Sequence, residues 1–205
     1  MIPSITEFIE SGVLELYVMG ATEPEETRAV EQMAREHAAV REELATIRKV
    51  VERYAVAHAV APRNIVKPMV LATIDYLERM KQGELPSSPP VVTPTSRPAD
   101  YAAWLDRPDM VLPSDAENIY AKVIGYTPVA TTAILWVQDG TDEEKHHEEY
   151  ERFLILEGTC DMICGGKTYP LASGDYFAVP LDTPHRVHVT SREPCKAILQ
   201  RLSVV

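Results

Sequence analysis

The chain has 205 residues, of which 45% are hydrophobic and 25% charged, the composition of an ordinary globular protein of one or two domains. Lys and Arg number 20 against 31 Asp and Glu, for a net charge of -11, and most of the acidic excess falls after residue 100. A surface of that sign does not neutralise phosphates, which argues against direct nucleic-acid binding and leaves docking on a basic protein open. No apolar run approaches the ~20 residues that span a bilayer. The start, MIPSITEFIE, lacks a basic stretch followed by an apolar one, so no secretory signal is expected. Cys160, Cys164 and Cys195 do not make an even disulfide framework, and a reduced, cytoplasmic chain is the expectation.

Residues 1–81 read as a small helical bundle. Ser4 is placed to cap a short opening helix, and Gly12 and Gly20 punctuate ITEFIESGVLELYVMG. Thr22 and Glu25 fit a capping box, with Pro24 in the first turn. Val40, Leu44, Ile47, Val51 and Tyr54 recur at offsets of 4, 3, 4 and 3, one stripe along a long helix that Pro62 ends. A further helix near Pro68 carries Val70, Ile74 and Leu77 on one face. The proline-rich stretch 82–100, QGELPSSPPVVTPTSRPAD, reads as an extended linker, with a packed proline arm as the alternative.

From Tyr101 to the end the texture is strands and turns: ENIYAKVIGY, TTAILWVQD, ERFLILEG, TCDMIC, KTYPL, DYFAVP, HRVHVT and KAILQRL, with Gly165-Gly166 suited to a hairpin. The fold class is therefore α+β: helices first, then an all-β sandwich or barrel. Along ERFLILEG, alternation places Glu151, Phe153 and Ile155 on one face and Leu154 and Leu156 on the other, the latter calling for a second cover. Cys160 and Cys164 share a face parity and fit small buried hydrophobes better than a redox or zinc pair.

Two segments carry chemistry. GTDEEKHHEEYERFLILEG (140–158) and GDYFAVPLDTPHRVHV (174–189) offer His146, His147, Glu151 and His185 as metal ligands. Imidazoles plus one carboxylate suit a divalent transition metal such as Zn, Fe, Mn, Ni or Cu. Asp139, Asp142, Glu143, Glu144, Glu148 and Glu149 crowd the first segment, the usual mark of a solvated loop. At a barrel mouth they would favour cations.

This pair resembles the two cupin motifs, Gly-x5-His-x-His-x3,4-Glu-x6-Gly and Gly-x5-Pro-x-Gly-x2-His-x3-Asn. Gly140 to His146, Glu151 to Gly158, Gly174 to Pro180 and Pro180 to His185 keep the spacing. The resemblance implies a cupin (double-stranded β-helix, jelly-roll) barrel over 101–205 in which Glu151 and His185 are metal ligands. The departures are His146-His147 in place of His-x-His, Asp182 in place of the motif-2 glycine and Val189 in place of its asparagine. Neighbours on a strand face opposite sides, so both histidines ligate only across a bulge or turn. One count from Glu151 selects His146 with Glu144 before it; the other selects His147; the count from Gly140 selects His146 and brings in Glu148.

The helical half, LELYVMGATEPEETRAVEQMAREHAAVREELATI, is similar to bacterial anti-sigma N-terminal domains. Met33, His37 and Val40 stand where zinc-type members have His-x3-Cys-x2-Cys, so the zinc site is absent. A helical anti-sigma domain followed by a cupin looks like the soluble ChrR type. That implies a transcriptional regulator whose helical half sequesters an extracytoplasmic-function sigma factor while the barrel senses a metal or small-molecule ligand. The competing expectation is a metal-dependent cupin enzyme, a dioxygenase, isomerase or decarboxylase, with His188 and Tyr176 as supporting groups; the helical half, which such an enzyme does not need, favours the regulator. A homodimer is compatible with either.

Overall fold

The computed structural model describes residues 4–204; residues 1–3 and 205, the outer ends of the expected helical and barrel segments, lie outside the described residues. The chain forms two compact units that divide between Ala61 and Pro62.

The first unit consists of α1 (Ile5–Glu10), α2 (Val13–Val18), α3 (Pro24–Glu36) and α4 (Ala38–Ala57). Ser4 starts α1 through a reciprocal box: its Oγ accepts from Glu7 N at 3.2 Å, and Glu7 Oε2 accepts from Ser4 N at 2.7 Å. Gly12 and Gly20, at φ 82° and 71°, take the left-handed turns beside α2. The cap of α3 falls one residue later than the Thr22/Glu25 box: Glu26 Oε2 accepts from Glu23 N at 3.0 Å, while the Thr22 hydroxyl pairs with that of Thr27. Leu14, Val30, Val40, Leu44 and Ile47 form the core. The apolar stripe of α4 is buried only as far as Ile47. Val51 and Tyr54 are 37% and 67% exposed, because the cluster that covers the helix stops there.

The helix expected to complete this bundle, α5 (Val66–Lys81), belongs to the second unit. Ala72 and Tyr76 face inward and share a core with Ile119, Ala121 and Val123, whereas Val70, Ile74 and Leu77 are exposed. The helix carries apolar residues on two faces, and the one bearing Ala72 and Tyr76 found the sheet. Arg79 anchors it, donating to the Val123 carbonyl and to Glu84, which Arg107 also grips. The Arg107 guanidinium, with Arg79, holds the Glu84 carboxyl down at about 2, against the opposing pull of burial.

The proline-rich stretch is a packed arm rather than a free linker. Val92 is fully buried, its N–H donates to Gln200 Oε1 at 2.9 Å, and Gln200 Nε2 returns a bond to the Pro90 carbonyl at 3.2 Å. Pro89 presses so close to the sheet that a Cβ on Gly125 would meet its Cδ at 2.2 Å. Prolines lack donors, and here the sheet's side chains supply them.

All eight expected strands form: β1 (Ile119–Thr127), β2 (Ala130–Val137), β3 (Glu149–Glu157), β4 (Thr159–Cys164), β5 (Lys167–Ala172), β6 (Tyr176–Val179), β7 (His185–Val189) and β8 (Cys195–Ser203). They make a five-stranded sheet, β1-β2-β8-β3-β6, and a three-stranded sheet, β5-β4-β7, all pairs antiparallel. Gly165 and Gly166, at φ 57° and 75°, close the β4–β5 hairpin. Phe153, Ile155, Met162 and Leu199 share the interior with all three cysteines. Leu154 and Leu156 face outward, and Val92, Tyr101 and Ile198 cover them. The second cover that β3 called for is thus the chain's own proline arm and the helical turns Pro98–Leu105. Among the described residues no helix is long and apolar enough to cross a membrane.

Candidate metal centre

The loop from Gly140 to Glu148 lies along β7 and delivers two side chains into one end of the barrel. Glu144 N donates to the His185 carbonyl at 2.8 Å and His185 N to the Glu144 carbonyl at 2.9 Å. This pairing turns the Glu144 side chain inward, where it is 6% exposed. Gly140 permits the approach: a Cβ there would lie 2.5 Å from the Val187 carbonyl oxygen.

Glu151, near the start of β3, and Arg201, on β8, are register partners. Arg201 Nε donates to Glu151 Oε1 at 2.9 Å, and Arg201 Nη2 to Glu144 Oε2 at 3.3 Å. His185 Nε2 is 2.8 Å from Glu151 Oε2, and its Nδ1 is 3.1 Å from the Thr183 carbonyl. His146 Nε2 points at Glu144 Oε2 (3.4 Å) and Glu151 Oε1 (3.6 Å), yet is a buried nitrogen with no hydrogen-bond partner. Burial opposes ionisation of Glu151, but His146, His185 and Arg201 outweigh it and hold its carboxyl well below the usual range. Glu144, then Glu151, push the His146 imidazole up to about 9. Burial disfavours the Arg201 charge, and Glu151 and Glu144 restore it.

The structure separates the adjacent histidines. His146 turns into the barrel; His147 is 64% exposed and pairs with Asp182. Glu144 and His146 share the inward parity of the loop, and the bend that begins at His147 turns the next side chain outward. Asp182 N also donates to the His146 carbonyl at 2.9 Å, tying the first ligand loop to the second. Asp182 has φ 58°, a left-handed conformation at the position where the cupin motif has glycine; aspartate tolerates it better than most residues. His188 is exposed on the outward parity of β7, and Tyr176 packs on the outer cluster, so neither supports the centre.

The residues fit a metal ion on three observations. Donor atoms of His146, Glu151 and His185 all lie within 4.8 Å of one another, close to the ~3–4 Å that ligands of one ion keep. His146 Nε2 is orphaned against two carboxylates. His185 Nδ1 lies 3.1 Å from the Thr183 carbonyl, which steadies the ring with Nε2 aimed at the same Glu151 carboxylate, 2.8 Å away. The adjoining cavity has a volume of about 30 Å³ and is lined by Phe153, Met162, Val187 and Leu199 besides the charged groups. A single water needs about 10–15 Å³ on this measure, so the space admits an ion and its water rather than a sugar or keto acid.

Two members of the cluster lie outside the four expected ligands. Glu144 was reached by one motif count, which put it in the first histidine's place, but it also stood among the many acidic residues of the loop. Arg201 had a readable signal: Cys195, Ala197, Leu199 and Arg201 alternate on one face of β8, so the arginine is the lone charge on an inward stripe.

The family model for the cupin domain matches residues 132–204. No curated protein matches the chain. Similar solved structures include KdgF from Halomonas sp., at 16% identity over 45% of this chain and 87% of that one (TM-score 0.41), and the TT1209 protein from Thermus thermophilus, at 16% identity over 45% and 90% (TM-score 0.42). The cupin domain of Cnp3 from Schizosaccharomyces pombe is 11% identical over 43% of this chain and 67% of that one (TM-score 0.42). The double antiparallel sheet, the two motifs at one end of it and the family match over residues 132–204 make the C-terminal part of this chain a cupin domain.

Proposed function

We propose that the protein is a metal-binding regulator: the barrel holds a divalent transition metal through His146, Glu151 and His185, and the helical unit sequesters an extracytoplasmic-function sigma factor. The observation that carries the regulatory half is the exposed apolar strip Val50, Val51 and Tyr54 near the end of α4, on a unit with a core of its own. Such a strip costs solubility and suits a partner surface. The small cavity supports sensing over turnover, because it has no room for an organic substrate as it stands.

In this reading Zn, Fe, Mn, Ni or Cu, when bound, supplies a fixed positive charge between the ligand loop, β3 and β7. Arg201 holds one oxygen each of Glu151 and Glu144 and fixes their orientation. The Thr183 carbonyl steadies the His185 ring through Nδ1. To act as a switch, metal or ligand must bind one arrangement of the chain more tightly than another. Tagged full-length protein purified from its native cells should carry a sigma factor, and loading or chelating the metal should change the amount. Recovery of no sigma factor under either condition would refute the regulatory half.

A second reading, a metal-dependent enzyme, draws on Glu144 and Arg201, a buried acid and a half-buried cation beside the three ligands. Metal-loaded protein turning over keto acids or sugars would establish it, and inertness toward both would count against it.

A further inference from the structure

We infer that Asn64 and Ile65 form a removable plug in the barrel mouth, so that any ligand larger than a water or two reaches the centre only by displacing Ile65 and breaking the Asn64 latch. Ile65 immediately precedes α5, yet its side chain is 4% exposed and sits in the barrel core. It lines the same cavity as Glu144, Glu151, His185 and Arg201, and it alone among the lining residues comes from ahead of the strands. Its side chain helps to bound a space of about 30 Å³. Asn64 holds it there by gripping the ligand loop: Asn64 N donates to Asp142 Oδ2 at 2.7 Å, Asp142 N donates to Asn64 Oδ1 at 3.0 Å, and Asn64 Nδ2 reaches the Gly140 carbonyl at 3.3 Å. Asp142 lies in the loop that carries Glu144 and His146.

The plug has the marks of a part that moves. The latch bonds are exposed or half-buried, so water competes for each of them. Residues 58–63, just before it, are all exposed. Behind it, the exposed Lys67–Glu117 ion pair adds little, and the firm hold on α5 comes from Met69, Ala72, Tyr76 and Arg79, a helical turn or more away. Local opening therefore costs one apolar side chain and three solvent-competed bonds, far less than unfolding the barrel. Because Ile65 is the first buried residue of the second unit, a ligand that expels it releases the chain segment leading to the helical unit. This deepens the sensing role proposed above and rests on it, whereas the plug itself does not depend on a metal.

Cys160 and Cys195 line the cavity and are buried, so their reaction with methyl methanethiosulfonate reports opening without any metal. In full-length Cys164→Ser protein, Asn64→Ala should label these thiols about tenfold faster and release bound Co2+ to a chelator about tenfold faster, the effect of one lost latch, with the urea midpoint of the barrel unchanged. Ile65→Val, a milder change in the core, should speed both processes less. Equal labelling rates in wild type and both variants, or rates that rise only in proportion to a loss of global stability, would overturn the plug. Wild-type protein that takes up no Co2+ would end the metal reading, and labelling would still decide the plug.

Discussion

The two units depart from the usual partition of residues in opposite directions. The helical unit leaves Val50, Val51, Tyr54 and Val56 in water, and the barrel unit buries Glu144, Glu151 and His185 and half-buries Arg201. Neither choice is good for stability: exposed apolar strips invite association, and buried ion pairs seldom repay their desolvation. A five-residue apolar core suffices for the first unit, and an apolar lining would have filled the second barrel end as well as it fills the other. The proposed function draws on both departures: the exposed residues of the first unit would meet a partner, and the charged cluster of the second would hold the metal.

The comparison is most easily broken at Glu151. Glu151→Ala leaves Arg201 and His185 buried without their partner and should cost the metal-free protein about 3–5 kcal/mol in urea unfolding. A much smaller loss would mean that water already reaches the cluster. Leu44→Ala should destabilise the helical unit by about 2–5 kcal/mol while leaving barrel metal affinity unchanged; coupled loss of metal would show that the units do not behave separately.

Acidity sharpens the contrast, because the barrel centre holds the raised histidine. His146 is raised from 6.5 to about 9, so its contribution to metal-free stability is complete below pH 6.5 and is lost as pH rises through about 9. A metal must displace that proton, so apparent affinity should climb about tenfold per pH unit toward pH 9, read by competition with a chromophoric chelator. His146→Ala should flatten both profiles. The smallest effect on folding belongs to the exposed strip: Val51→Ala with Tyr54→Ala should shift stability within about 0.5 kcal/mol per site yet weaken sigma-factor capture. Undiminished capture would place the partner surface elsewhere.

Strand alternation, the glycine pair at 165–166 and the Ser4 cap were readable because each depends on neighbours in sequence. Glu151 and His185, 34 residues apart on β3 and β7, were reached through the resemblance to the cupin motifs rather than through any local pattern. The choice between His146 and His147 was not readable, since it depends on Asp182 drawing one histidine outward across the barrel rim. The place of α5 was hidden in a different way. Val70, Ile74 and Leu77 announce an amphipathic helix, but the pattern does not say that the opposite face, with Ala72 and Tyr76, is the one that finds a sheet. Likewise the prolines of 82–100 look like a linker until Gln200 and Ser87 are seen bonding to and from the arm.

Titration of metal-free protein with Co2+, followed by its visible absorption and by calorimetry, tests the central claim most directly. One ion per chain should bind, His146→Ala, Glu151→Gln and His185→Ala should each lower affinity by more than the about 10–100-fold typical of a lost supporting group, and His147→Ala should leave affinity close to wild type. Absence of binding in the wild type, or a loss in His147→Ala as large as in His146→Ala, would contradict the account.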